Sequence, residues 1–216
     1  MSLRILVVDD HAVVRRGVRS LLESHEGWEV CGEATTGRDA VEQSRRLRPA
    51  VVVMDLSLPE LNGLDATRQI LKDGPGIEVL VLTMHHSGEL AGDVLRAGAR
   101  GYIMKSDADE NLITAVDTLR QHKPFLTSTV TGFVLDDFVR RGDGAHADLS
   151  PVGVTSRERE IIQLVAEGRS NKEAASTLGI SVKTVEAHRA NIMRKLHFRT
   201  VSDLVRYAIR NKIVQP

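Results

Sequence analysis

The chain has 216 residues, of which 42% are hydrophobic and 27% are charged, a balance typical of globular proteins and not of disordered ones. No apolar run is long enough to cross a bilayer, and a predicted strand begins at Arg4, which leaves no room for a signal peptide. We therefore expect a cytoplasmic protein with no membrane partner. The single cysteine, Cys31, excludes a disulfide framework and a clustered thiolate metal site.

The formal net charge of zero is the sum of two unequal parts. Residues 151–216 carry 12 Lys and Arg against 6 Asp and Glu, and residues 1–150 carry 17 against 23. The C-terminal part is therefore +6 and the remainder is −6. A small basic module joined to an acidic one is typical of a protein in which only the basic module meets a polyanion. The sequence lacks a basic amphipathic helix with large aromatic residues, which favours nucleic acid over lipid.

The N-terminal half alternates short apolar runs with longer amphipathic segments. Three of the runs are apolar at every position, which predicts strands buried on both faces of a parallel sheet. Regular βα alternation predicts an α/β fold, a five-stranded, doubly wound, open sheet with ligands bound beyond the carboxyl ends of the strands. The five predicted strands are 4–8, 28–34, 51–54, 79–82 and 101–104.

The C-terminal half begins with a helix predicted over 107–121, followed by an amphipathic stretch over 128–141 and a polar, glycine-bearing segment. The rest has no strand signal and predicts four short helices. Two of them open with capping boxes, at Thr155 with Glu158 and at Ser170 with Glu173, and Gly168 and Gly179 are natural helix stops. We expect domains over 1–125 and 151–216, joined by an amphipathic helix and linker over 126–150.

Polar residues stand at the ends of the predicted strands. Asp9 and Asp10 follow the first, Asp55 and Thr83 end the third and fourth, and Lys105 follows the fifth. Carboxylates gathered at one edge need a hard cation, and Mg²⁺ suits them because it also accepts phosphate oxygens. An aspartate there can attack a phosphoryl group, with the lysine ammonium and the threonine hydroxyl supporting charge on the transferred oxygens. Asp55 is the predicted nucleophile.

This order of residues over 3–121 strongly resembles the receiver domains of two-component response regulators. The resemblance implies a flavodoxin-like fold, with Mg²⁺ bound by Asp10, Asp55 and the backbone carbonyl of Ser57, with help from Asp9. It also implies phosphoryl transfer to Asp55 from a histidine kinase, and a switch in which Tyr102 changes rotamer with the threonine.

Three helical patterns over 155–196 have the spacing of a helix-turn-helix, with the tight turn Gly179-Ile180-Ser181 between the last two. On the third helix, Val185, Ile192 and Leu196 form one apolar stripe. The opposite face is free to enter a major groove and to contact base edges. It carries Lys183, Ala187, Ala190, Asn191 and Arg194, with Thr184 and Glu186 at its margins.

The run Leu-Val-Ala-Glu-Gly-Arg-Ser-Asn-Lys-Glu-Ala-Ala from Leu164, with Leu-Gly-Ile-Ser-Val-Lys-Thr-Val-Glu-Ala-His from Leu178, closely resembles the LuxR-type DNA-binding domain. The whole chain thus resembles a NarL-type response regulator, which implies a four-helix domain that reads double-stranded DNA with its third helix. Predicted phosphate contacts are Ser181, Thr184, Arg189, Lys195 and Arg199.

The predicted function is that of a transcription factor, not of an enzyme. We expect phosphorylation of Asp55 to shift the chain toward a homodimer that binds two-fold related half-sites. The last helix, capped by Thr200, carries an apolar stripe that serves first as core and in part as a dimer contact. One alternative is a regulator whose DNA binding does not depend on phosphorylation. Another is a phosphatase that works through an aspartyl phosphate, but such enzymes carry a second aspartate where this chain has Ser57.

Overall fold

The computed structural model describes residues 2–84, 88–128, 130–132 and 154–214. The chain divides into two compact units, one built around a sheet and the other from the C-terminal helices. Most of the predicted linker, and most of the amphipathic stretch predicted over 128–141, lies outside the described residues.

The strands of the sheet are β1 (Leu3–Val8), β2 (Trp28–Ala34), β3 (Val51–Met54), β4 (Glu78–Thr83), β5 (Gly101–Met104) and β6 (Phe125–Leu126). All are parallel, as predicted, and their order is β2-β1-β3-β4-β5-β6. The prediction of five strands is wrong by one, because the two-residue strand β6 pairs with β5 through Gly101 and Phe125.

Both faces of the central strands are buried. Every residue of β3 and β4 is buried, in agreement with the unbroken apolar runs in the sequence. Alternate side chains such as Ile5 and Val53 share a core cluster with Leu22 and Leu119, which belong to the first and last covering helices. The helices are α1 (Ala12–Glu23), α2 (Gly37–Leu47), α3 (Gly63–Asp73), α4 (Gly88–Arg96) and α5 (Ala108–Arg120).

The second unit contains the four predicted helices, each placed by a polar cap. Capping boxes are present at Thr155 and Ser170 as predicted, and Thr200 closes a third with Asp203. Gly179 ends the second helix in the left-handed conformation, at φ 63°. The helices are α6 (Ser156–Ala166), α7 (Asn171–Leu178), α8 (Val182–Lys195) and α9 (Val201–Arg210).

The core of this unit uses the stripe predicted on α8. Val185 and Ile192 are fully buried and share a cluster with Ile161, Leu204 and Ala208. Burial of this stripe leaves the opposite side of α8 at the surface. Among the described residues, no helix is both long enough and apolar enough to span a bilayer.

Candidate functional sites

Strand register brings the polar residues of the first unit to one edge of the sheet. The amide of Asp9 donates to the carbonyl of Ala34, and the amide of Asp55 donates to the carbonyl of Val8, so both aspartates continue paired strands. Thr83 is the last residue of β4 and pairs with Met104. The side chains predicted to act together therefore emerge at the carboxyl ends of neighbouring strands.

Lys105 bridges the two buried carboxylates at this edge. Its Nζ lies 2.7 Å from Oδ2 of Asp9 and 2.9 Å from Oδ2 of Asp55. The lysine side chain is only 8% exposed. Burial lowers the pKa of Lys105, but the two neighbouring carboxylates outweigh that effect and raise its pKa above the ordinary value. The lysine is therefore a fixed positive charge at this edge.

A backbone amide holds the other carboxylate oxygen of Asp55. Asp55 is 2% exposed, and its Oδ1 accepts a hydrogen bond of 2.8 Å from the amide of Leu56. Burial raises the pKa of Asp55, and the charge of Asp9 raises it further, while Lys105 and the Leu56 amide oppose the rise. The net pKa lies above the ordinary aspartate value, so the ionised carboxylate is desolvated and depends on Lys105.

The backbone at Gly63 packs closely against the backbone of Asp55, a contact that the polar residues at the strand ends did not indicate. A Cβ placed on this first residue of α3 would lie 1.9 Å from the carbonyl oxygen of Asp55 and 2.9 Å from Cα of Leu56. The Gly63 amide also donates to the carbonyl of Leu56. Only glycine allows the backbone of α3 to approach this closely. The position of Asp55 thus depends on a residue eight positions later in the chain.

The carboxylate cluster has the composition of a cation site. Donor atoms of Asp9, Asp10, His11 and Asp55 all lie within 4.8 Å of one another. Sequence reasoning named the three aspartates and missed His11, since a histidine after two acidic residues gives no motif of its own. Ser57, predicted to contribute its carbonyl, is half-buried just beyond Asp55.

The two predicted switch residues are inside the fold. Thr83 is fully buried, and Tyr102 is 1% exposed in the middle of β5. Burial raises the pKa of Tyr102 to about 12. The tyrosine ring therefore occupies an inward position in this structure.

The surface of α8 presents most of the predicted nucleic-acid contacts. Ser181 caps the helix by accepting from the amide of Thr184, and their hydroxyl oxygens lie 2.8 Å apart. Val182, which was not predicted as a contact, is a 40% exposed apolar side chain in the first turn. The exposed predicted contacts are Ser181, Lys183, Thr184, Glu186, Ala187, Ala190, Asn191, Arg194, Lys195 and Arg199.

Two of the basic side chains predicted as phosphate contacts pair with residues on other helices of the unit. Arg189 is half-buried and donates from Nη1 to Oδ1 of Asn171 on α7. Nζ of Lys195 donates at 2.8 Å to Oε2 of Glu158, the acidic member of the first capping box. These side chains hold α8 against its neighbours, which spacing along the helix did not indicate.

The apolar stripe of the last helix contributes to the core, as predicted, and also reaches the surface. Leu204 and Ala208 are buried, whereas Val201 is 48% exposed. Val205 and Ile209 are half-buried. The exposed part of the stripe is thus Val201, the first residue of α9.

Family comparisons match both parts of the chain. Residues 5–117 match the response regulator receiver domain, and residues 153–208 match the bacterial regulatory proteins of the luxR family. A chain with both domains belongs to a family of transcription regulators of the LuxR type, which are not enzymes.

Individual relatives match over nearly the full length. The chain is 40% identical to the oxygen regulatory protein NreC of Staphylococcus carnosus (strain TM300), covering 98% of this chain and 99% of the relative. It resembles the solved complex of the response regulator RcsB with DNA, with 28% identity, a TM-score of 0.60 and coverage of 96% and 98%. A LuxR-family response regulator from Aurantimonas sp. SI85-9A1 matches 64% of this chain and 99% of its own, with 33% identity and a TM-score of 0.61.

Proposed function

Since the chain belongs to the response regulators of the LuxR family, with a receiver domain and a LuxR-type DNA-binding domain, we propose that phosphorylation of Asp55 controls its dimerisation and its binding to promoter DNA. The observation that carries the proposal is the placement of Lys105 between the carboxylates of Asp9 and Asp55. A buried carboxylate beside a fixed ammonium is suited to accept a phosphoryl group, because the lysine ammonium can pair with the oxygens of that group after transfer.

The donors at this edge fit Mg²⁺. Asp9 and Asp55 are buried carboxylates, and Asp10 is an exposed one beside them. Oδ2 of Asp9 is buried, and among the described residues its one partner is Nζ of Lys105 at 2.7 Å. Asp9, Asp10, Asp55 and the carbonyl of Ser57 would hold the ion, leaving positions for water and phosphate oxygens. When bound, Mg²⁺ neutralises charge on the phosphoryl oxygens.

Phosphoryl transfer at this site takes no proton from the chain when the second ring nitrogen of the phosphohistidine is protonated, because the imidazole then leaves as a neutral group. A carboxylate oxygen of Asp55 forms a bond to phosphorus in line with the bond that breaks, which joins phosphorus to a nitrogen of the kinase histidine. The imidazole leaves with the electron pair, and the product is an acyl phosphate. Lys105 then pairs with phosphoryl oxygens, and the Thr83 hydroxyl at the end of β4 donates to another.

We propose that the output is DNA binding by α8 in a homodimer. The exposed charge on this helix, carried by Lys183 and Arg194, suits phosphate and guanine contacts, and Asn191 suits adenine. The exposed part of the α9 stripe at Val201 is the proposed dimer contact. The solved complex of RcsB with DNA supports the DNA-binding part of this proposal. The structure of two RcsB dimers bound to two parallel DNAs supports the dimer. The proposed domain bounds are 1–125 and 151–216, with the linker over 126–150.

The experiment is intact mass spectrometry after incubation with acetyl phosphate and Mg²⁺. The wild-type chain should gain one phosphoryl group, and Asp55→Asn should gain none. Asp117→Asn is the matched control, because Asp117 is an aspartate on the surface of α5 that pairs with Arg120. An adduct retained in Asp55→Asn would refute Asp55 as the phosphoacceptor.

A further inference from the structure

The aspartate cluster contains a fourth donor of a different chemical kind. Nδ1 of His11 lies 2.7 Å from Oδ1 of Asp10 and 3.4 Å from Oδ1 of Asp9. One donor atom from each of these three side chains and one from Asp55 all lie within 4.8 Å of one another. Donors on opposite sides of an ion with ~2.2 Å bonds lie about 4.4 Å apart, so one ion could contact nearly this whole set.

Among the described residues, the His11 ring has no structural role apart from its contacts with the carboxylates of the cluster. His11 is the N-cap residue of α1, but its side chain makes no capping hydrogen bond. Its backbone amide, and not its ring, donates to Oδ1 of Asp9 at 2.8 Å. The side chain is 66% exposed, and the contacts of its ring are with the carboxylates of Asp9 and Asp10. The ring therefore lies at the carboxylate cluster, and it is not needed to cap α1.

We propose that His11 is a metal ligand and gives this site a preference for divalent first-row transition ions over Mg²⁺. The proposal rests on the cation site of the proposed function. Imidazole nitrogen is a good ligand for transition ions, whereas Mg²⁺ takes oxygen ligands and keeps its waters. A neutral His11 ring binds through Nδ1 and keeps its proton on Nε2. The nitrogen donor thus adds affinity for the transition ion alone.

The test uses Mn²⁺ with the full-length protein. Pulsed electron paramagnetic resonance detects imidazole nitrogen bound to Mn²⁺, and titrations give the affinities for Mn²⁺ and Mg²⁺. Wild-type protein should show the nitrogen signal. His11→Ala should lose it and bind Mn²⁺ about tenfold or more weakly, with unchanged affinity for Mg²⁺. His122→Gln is the matched control, since His122 also pairs with a carboxylate, that of Glu78 at 2.8 Å, but at the opposite end of β4.

The possible outcomes separate this inference from the proposed function. If wild type and His11→Ala bind Mn²⁺ equally and neither shows a nitrogen signal, His11 is not a ligand, while a cation site abolished by Asp55→Ala would still stand. If His122→Gln removes the nitrogen signal, the ion lies elsewhere and the assignment to His11 is wrong. If wild-type protein binds neither ion, the cation site of the proposed function fails as well.

Discussion

Nζ of Lys105 lies 2.9 Å from Oδ2 of Asp55, and both side chains are almost fully withdrawn from solvent. Ion pairs at a protein surface contribute little, but a buried carboxylate without a partner is costly. The lysine therefore sustains the ionised state of Asp55 that phosphoryl transfer requires. The same ammonium contacts Asp9, so a phosphoryl group that draws Lys105 toward itself also changes the surroundings of Asp9.

Replacing Asp55 by asparagine should stabilise the receiver domain at neutral pH when divalent ions are removed. The pKa of Asp55 is raised, so its contribution to stability is full below the ordinary value of 3.8 and is lost as pH rises through the raised pKa. Ionised Asp55 therefore costs stability at neutral pH. We expect a gain of about 1 kcal/mol, or roughly 2–4 °C in melting temperature.

Thermal unfolding of wild type and Asp55→Asn in chelator, at a series of pH values, checks this prediction. The difference between them should be largest near neutrality and should close as pH falls toward 3.8. A difference that grows in acid would have the wrong sign and would show that Asp55 is stabilised in its ionised form.

Adding one methyl group at Gly63 should damage both the fold and the phosphoacceptor. The new Cβ would meet the carbonyl oxygen of Asp55, a backbone atom that a side-chain movement does not relieve. We expect Gly63→Ala to cost about 1–3 kcal/mol and to slow phosphorylation by acetyl phosphate. Gly17→Ala in α1 is the control, because a Cβ there meets nothing within 4 Å. It should stabilise the chain by about 0.5–1 kcal/mol. Equal behaviour of the two variants would contradict the close approach of α3.

Lys195 should act mainly on the stability of the DNA-binding domain. Burial raises the pKa of Glu158, but hydrogen bonds from Lys195 and Thr155 outweigh this and leave it lowered. The stabilisation is then present above the ordinary value of 4.5 and is lost as pH falls through the lowered pKa. A double-mutant cycle of Lys195→Met and Glu158→Gln should give a coupling of about 0.5–1 kcal/mol at neutral pH. Strict additivity would show that the pair contributes nothing.

Removing the positive charge of Lys183 should weaken DNA binding, because its ammonium would no longer attract the DNA phosphates. Lys183 is exposed in the first turn of α8, and the structure gives it no acidic partner among the contacts of the described residues. Lys183→Ala should reduce affinity and lower the slope of log affinity against log salt by about one. Arg206→Ala is the charge-matched control, since Arg206 pairs with Asp203 on α9. If both variants lower the slope equally, the effect is general charge and not contact by α8.

The parts of the fold that follow from regular patterns could be predicted from the sequence. Unbroken apolar runs gave the central strands, and capping residues such as Thr155 and Ser170 gave helix starts to within a residue. β6 was missed because two residues are too short to show a period of alternation. Its pairing with β5 is set by tertiary packing around Phe125.

The residues of the candidate site that lie at strand ends could be predicted from the sequence. The residues that tertiary packing brings to the site could not. Asp9, Asp55 and Lys105 occupy strand termini, so topology alone predicts that they converge. Gly63 and His11 lie at helix starts, and their relation to Asp55 depends on backbone distances that spacing does not contain. For the same reason, the sequence predicted Lys195 as a phosphate contact and did not indicate its hydrogen bond to Glu158.

The measurement that tests the central claim most directly is DNA affinity as a function of phosphorylation at Asp55. Fluorescence anisotropy with a promoter fragment would compare wild type and Asp55→Asn, each with and without acetyl phosphate and Mg²⁺. The account predicts that phosphorylation tightens binding by the wild type, in proportion to the fraction modified, and leaves Asp55→Asn unchanged. Equal affinity of phosphorylated and unphosphorylated wild type would contradict control of the DNA-binding domain by the receiver.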